Sequence, residues 1–199
     1  MKITVADYGV GNLHSITKGL ERAGAATEVS SDPDGLARAR CIVFPGVGAF
    51  GAAMDVLRPA LPAVRSAIES GVPTLGICLG MQILFEGSEE SRGEGVSVIK
   101  GCARRLQAPR VPHMGWNAVS HNGDNLFDGI TSDSQFYFAN SYVCYPTEKV
   151  TISETEYGEV FPSAVRKGAI CGVQFHPEKS SAPGLRLLSN FIRIAEELA

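Results

Sequence analysis

The hydrophobic pattern changes character halfway along the chain. In the first half, short apolar blocks alternate with stretches of helical period. Ile3-Thr4-Val5-Ala6 reads as a buried strand, and residues 12–23 carry Leu13, Ile16 and Leu20 at helical spacing. Residues 25–30 form a second strand candidate, and Cys41-Ile42-Val43-Phe44 is a short apolar run bounded by turn residues. Residues 54–70 read as helix interrupted by Pro59 and Pro62, Pro73-Thr74-Leu75-Gly76-Ile77 as strand, and residues 79–86 as helix. Such β-α alternation predicts parallel strands with helices on both faces. Sites on such sheets lie outside the carboxyl ends of the strands, which puts Asp7-Tyr8, Pro45-Gly46 and Cys78 along one edge.

In the second half the helical period fades. Residues 96–100, 116–119, 136–138, 150–152 and 163–165 are strand-like runs separated by turns, and they predict an antiparallel or mixed extension of the sheet. Residues 88–95, rich in Glu, Gly and Ser, read as an exposed loop. Residues 169–175 read as a strand, and residues 185–198 as a closing amphipathic helix.

Two motifs carry the chemistry. Gly76-Ile77-Cys78-Leu79-Gly80 sets a cysteine between two near glycines at a strand-to-helix junction, the layout of a sharp nucleophile elbow. A helix N-terminus favours thiolate, and thiolate is the nucleophile. Near the other end, the strand candidate 169–175 delivers His176. Pro177 stops the ladder, and the Glu178 carboxylate can reach back to an imidazole nitrogen. A thiol, an imidazole and a carboxylate are the parts of a nucleophilic triad.

G-I-C-L-G-M-Q at 76–82 with Q-F-H-P-E at 174–178 resembles the class I, or triad, glutamine amidotransferases. V-P-H-M-G-W-N at 111–117, D-Y-G-V-G-N at 7–12 and H-P-E-K-S-S at 176–181 resemble, within that class, the glutaminase subunits of imidazole glycerol phosphate synthases. The resemblance runs from about residue 2 to about residue 197. It implies one flavodoxin-like, doubly wound α/β domain spanning 1–199, with a mostly parallel central sheet and a mixed or antiparallel extension.

It also implies a mechanism. Cys78 attacks the carboxamide of glutamine and forms a thioester, His176 moves the proton, and Glu178 orients His176. The oxyanion falls to Val47 and Gly48 and to the N–H of Leu79, and substrate binding to Gly46, Gln82, Ser141 and Tyr142. Many relatives carry histidine where this chain has Asn140. The partner implied is a (β/α)8-barrel cyclase, docked as a heterodimer and receiving ammonia. Asn12, Trp116, Asn117, Tyr137 and Lys179 lie on motifs that would face it. His14 and His121 are expected in solvent, and His113 within the docking segment.

Composition narrows the rest. A chain of 199 residues is long enough for a real core. Net charge is −3 with no dense basic run, so neither nucleic acid nor a membrane surface is an expected partner. The five cysteines are widely spaced with no C-x-x-C pair, so no metal is expected; no cofactor is expected either. A cytoplasmic setting suits a free thiol at Cys78. The alternatives are a glutaminase serving pyridoxal phosphate or anthranilate synthesis, a cysteine hydrolase of γ-glutamyl peptides on the same fold, and an inert interaction module.

Overall fold

The computed structural model describes residues 1–9 and 13–198; Asn12 lies outside the described residues. Strands β1 (Lys2–Ala6), β2 (Ala26–Ser30), β3 (Ile42–Phe44) and β4 (Thr74–Ile77) alternate with helices α1 (Leu13–Arg22), α2 (Pro33–Ala37), α3 (Phe50–Leu57) and α4 (Leu61–Glu69). Helix α5 (Leu79–Ile83) follows β4 directly. Then come β5 (Gly87–Ser88), β6 (Ser91–Glu94), β7 (Gly101–Arg105), β8 (His113–His121), β9 (Ser134–Asn140), β10 (Tyr142–Pro146), β11 (Thr151–Tyr157), β12 (Glu159–Lys167) and β13 (Ile170–Val173). A 3₁₀ turn, Pro177–Lys179, leads into α6 (Ser181–Leu198).

Nine strands pair in the order β2-β1-β3-β4-β13-β12-β11-β8-β9. The first five are parallel and the rest antiparallel. The parallel part is thus the α/β half expected from the alternation, and the extension is antiparallel. A second sheet, β10-β7-β5-β6, lies beside it.

Successive strand residues feed opposite faces, as the two-residue period demands. Ile3, Val5, Val43, Leu75 and Ile77 join Ile16, Leu20, Leu187 and Phe191 of α1 and α6 in one core. Ile42 and Phe44 join Phe50, Met54, Val64 and Ile68 of α3 and α4 in the other.

The structure corrects several expectations. Residues 96–100 form no strand. Val96, Val98 and Ile99 are buried, but their amides donate to the carbonyls of Ile83 and Leu84, closing the C-terminal end of α5. Apolar spacing alone does not separate such a cap from a strand. Residues 88–95 are not a free loop: β5 and β6 pair antiparallel within 87–94. His121 is not simply solvated, because its ring stacks on Phe127 at 4.6 Å and accepts the Gly123 N–H through Nδ1. His14 is exposed.

His113 is buried rather than presented to a partner. Its ring lies between Phe138 (4.6 Å) and Tyr157 (3.9 Å), and burial pushes its pKa down to about 4. The folded state therefore holds this ring neutral where an unfolded chain protonates it near pH 6.5. Stability should fall as pH drops from about 6.5 to about 4, with no contribution from His113 above that window. His113→Phe is expected to flatten this acid limb in urea unfolding series. An unchanged slope would show that other groups set it.

Candidate active site

The elbow is enforced by close backbone approach. Cys78 sits at φ 52°, ψ −106°, a region that costs about 1–3 kcal/mol for a non-glycine residue. A Cβ on Gly80 would lie 1.9 Å from the Phe44 carbonyl oxygen, and one on Gly76 would lie 2.4 Å from that of Gly80. Strand, turn and helix can stack this tightly only with glycine on both sides of Cys78. The Cys78 N–H donates to Val173 O at 2.7 Å, locking the elbow to β13, the strand that precedes His176.

His176 is held at both ends. Its N–H donates to Tyr137 O (2.8 Å), and its carbonyl accepts from Ser180 Oγ (2.6 Å). Nδ1 meets Glu178 Oε1 at 2.9 Å, with the imidazole almost wholly buried. With Nδ1–H given to the carboxylate, Nε2 is the nitrogen left for the sulfur. Burial works against the imidazolium, but the Cys78 sulfur and Glu178 outweigh it and push the pKa up to about 10. The imidazole is thus held towards its protonated form beside the sulfur. The cost of burying the ring is offset by these two partners together, which ties the state of His176 to the state of Cys78.

A cavity of about 190 Å³ opens on the sulfur. This is smaller than a drug-sized pocket and suits a single small metabolite. Gly46, Val47, Gly48, Leu79, Gln82, Ser141 and Tyr142, all expected at the site from the sequence, line it with Cys78. A Cβ on Gly46 would come within 1.9 Å of Ile77 O and 2.7 Å of Cys78 Cβ, so only glycine brings this loop against the elbow. Gln82 is buried, and its Nε2 donates to Tyr142 O at 3.2 Å. The same carbonyl accepts from Asn140 Nδ2 at 3.1 Å, so Asn140 braces the cavity wall from within the chain.

Glu90 escaped the sequence reading, and Tyr8, expected along this edge, had no role assigned. Glu90 lines the cavity from the β5–β6 hairpin, and its Oε2 accepts the Phe50 N–H at 2.7 Å. Ala49 offers α3 no side-chain cap, and Glu90 supplies one from a distance. The hairpin has no apolar alternation, so nothing in the local pattern marked it. Tyr8, buried at the end of β1, donates its hydroxyl to Pro45 O and so holds the start of the Gly46-Val47-Gly48 loop. The D-Y-G run was the available signal.

Three of the residues expected at a partner face come together. Trp116 is half-exposed, opposite Tyr137 in the β8–β9 register, with ring centroids 6.1 Å apart. Lys179 Nζ lies over the Tyr137 ring at 5.9 Å. Asn117 is on the other face of β8 from Trp116. Its amide donates to Glu156 O (2.9 Å) and contacts His113 Nε2 (3.3 Å), and its Oδ1 accepts from Ala118 N–H. Strand alternation therefore turns Asn117 inward and leaves Trp116, with Met114, outside.

Comparisons with known proteins agree in direction. The family model described as "Glutamine amidotransferase class-I" matches residues 4–195. The "Imidazole glycerol phosphate synthase subunit HisH" of Thermococcus kodakarensis is 47% identical over 199 residues, covering 96% of this chain and 100% of that one. The protein of the same name from Methanocaldococcus jannaschii is 43% identical over 195 residues, covering 96% and 99%. A crystal structure titled as a glutamine amidotransferase superposes with a TM-score of 0.77 at 19% identity over 97% of this chain and 98% of that one, a likeness of fold alone.

Proposed function

Because the chain belongs to the class-I glutamine amidotransferases, we propose that Cys78, His176 and Glu178 are the triad with which it hydrolyses glutamine. It acts as the glutaminase subunit of imidazole glycerol phosphate synthase, in histidine biosynthesis, alongside a partner subunit. The observation that carries the triad assignment is the buried His176–Glu178 contact at 2.9 Å behind a sulfur that opens on a small cavity.

In the proposed reaction the Cys78 thiolate attacks the side-chain carboxamide carbon, and the carbonyl π pair moves to oxygen. Backbone N–H groups of Leu79 and of the Val47–Gly48 loop receive that charge, each donor contributing about 3–4 kcal/mol. Collapse expels ammonia, protonated from His176. Water then attacks the thioester, breaks the C–S bond and releases glutamate, with His176 taking the water's proton. Glu90 is placed to pair with the substrate ammonium. Gln82 donates its N–H groups within the chain, leaving its oxygen as an acceptor for the substrate.

The partner is proposed to be a (β/α)8-barrel cyclase in a heterodimer, seated on Trp116, Tyr137 and Lys179. Aromatic side chains such as Trp116 and Tyr137 are typical anchors. A space of about 10 Å³ is lined by Ile16, Gly46, Val47, His176, Glu178 and Lys179. It has room for no more than one water. No helix among the described residues is long and apolar enough to cross a membrane; a cytoplasmic setting is the proposed one.

Ammonia release should be slow for the chain alone, faster with the cyclase, and fastest with the cyclase's nucleotide ligand bound. Glycines on both sides of Val47 let the loop peptide turn between an idle and a donating orientation. The assay is glutamate and ammonia production in those three states. Equal turnover in all three would remove the gating proposal, and no release in any would remove the glutaminase assignment.

A further inference from the structure

We propose that Gln174 is a further catalytic residue, whose carboxamide N–H donates to the Cys78 sulfur and holds it as the nucleophile. Gln174 stands two residues before His176, and its side chain is fully buried. Its Nε2 lies 3.5 Å from Cys78 Sγ, a hydrogen-bond distance for sulfur. Phe175 between them is turned the other way, packing on Phe136 and Phe138. The i, i+2 alternation after β13 thus aims both Gln174 and His176 at the elbow.

The orientation of the amide is set by its neighbours. Gln82 Nε2 donates to Tyr142 O at 3.2 Å, which fixes Gln82 with its nitrogen inward. The same nitrogen faces Gln174 Oε1 at 3.5 Å. Turning Gln174 over would set two N–H donors against each other and a carbonyl oxygen against the sulfur. The network therefore places N–H, not oxygen, on Cys78. A buried amide is costly unless both its ends are used. Here one end is used by Gln82 and the other by the nucleophile.

A donor to the charged form favours thiolate. It acts at two steps. Before attack it holds the sulfur's charge beside His176. When water opens the thioester, the C–S bonding pair returns to sulfur, and the same N–H receives it. The proposal rests on Cys78 being the nucleophile of the glutaminase reading, but one arm of its test needs no glutamine.

The test uses Gln174→Met, similar in length and without a donor, and Gln174→Glu, similar in shape with an acceptor in place of the N–H. Iodoacetamide alkylation of Cys78, mapped by peptide mass spectrometry, is followed against pH. kcat and KM for glutamine are measured with the cyclase bound. The midpoint of the alkylation profile should rise by about one pH unit in Gln174→Met and further in Gln174→Glu. kcat should fall about tenfold with KM nearly constant. Should Gln174→Met fold poorly by circular dichroism, Gln174→Glu carries the same readouts. A profile that stays in place, or a change confined to KM, would overturn the proposal. If the profile moves but wild type releases no ammonia, the glutaminase reading fails and the Gln174 contact stands; ammonia release with an unmoved profile gives the reverse.

Discussion

Cys78→Ala is expected to abolish glutamine hydrolysis, a loss of about 10⁴-fold or more, with the fold intact. Alanine keeps the Cβ, so the positive φ at the elbow is no more strained than before. Gln174 Nε2 loses a hydrogen bond, a weak 4.0 Å contact to Ala139 O goes, and His176 loses the sulfur's electrostatic support. His176 reports the change directly. Burial disfavours its imidazolium, and the sulfur is one of the two groups that outweigh burial. Without the sulfur, its pKa should drop from about 10, which imidazole NMR titration would detect. A group whose folded pKa is raised lends stability below its unfolded value near 6.5 and loses it as pH climbs through the folded value. The variant should therefore show a flatter fall in stability between about pH 6.5 and 10. Residual hydrolysis at wild-type rate would reject Cys78 as nucleophile.

His176→Asn should be nearly as damaging as Cys78→Ala, because nucleophile and proton carrier act as one unit and their losses do not add. The double variant should be little worse than either single one. Glu178→Gln is the milder change. It keeps the shape at 2.9 Å from Nδ1 but loses the charge that supports the imidazolium. A loss of up to about 10⁴-fold is the ceiling set by the serine-protease precedent. The thiolate should also become scarcer at neutral pH, so the alkylation midpoint of Cys78 should rise. Full turnover in Glu178→Gln across neutral pH would mean that another group orients His176.

The parts of this molecule legible in its sequence were those where one local rule acts alone. Glycines around Cys78 announce the elbow because no other residue tolerates contacts of about 2 Å with Phe44 O and Gly80 O. The β-α alternation up to residue 83 announces parallel strands because each block has one period. Legibility ended where long-range contacts choose between local options. Residues 96–100 carry a strand-like pattern, but Val96, Val98 and Ile99 close a helix end. Glu90 is one acidic residue among several until the hairpin brings it to α3. His113 and Asn117 sit in a motif read as a docking segment, yet strand alternation turns both inward while Trp116 stays out. Gln174 lies inside a motif read for its histidine and glutamate, and only the fold reveals what its amide touches.

The most direct measurement of the central claim is the mapping of a covalent adduct. The chain, in complex with its cyclase, is treated with a glutamine-mimicking electrophile and digested for mass spectrometry. The account predicts one adduct, on Cys78, suppressed by excess glutamine and accompanied by loss of ammonia release. An adduct on Cys41, Cys102, Cys144 or Cys171 instead, or full loss of activity with Cys78 unmodified, would contradict it.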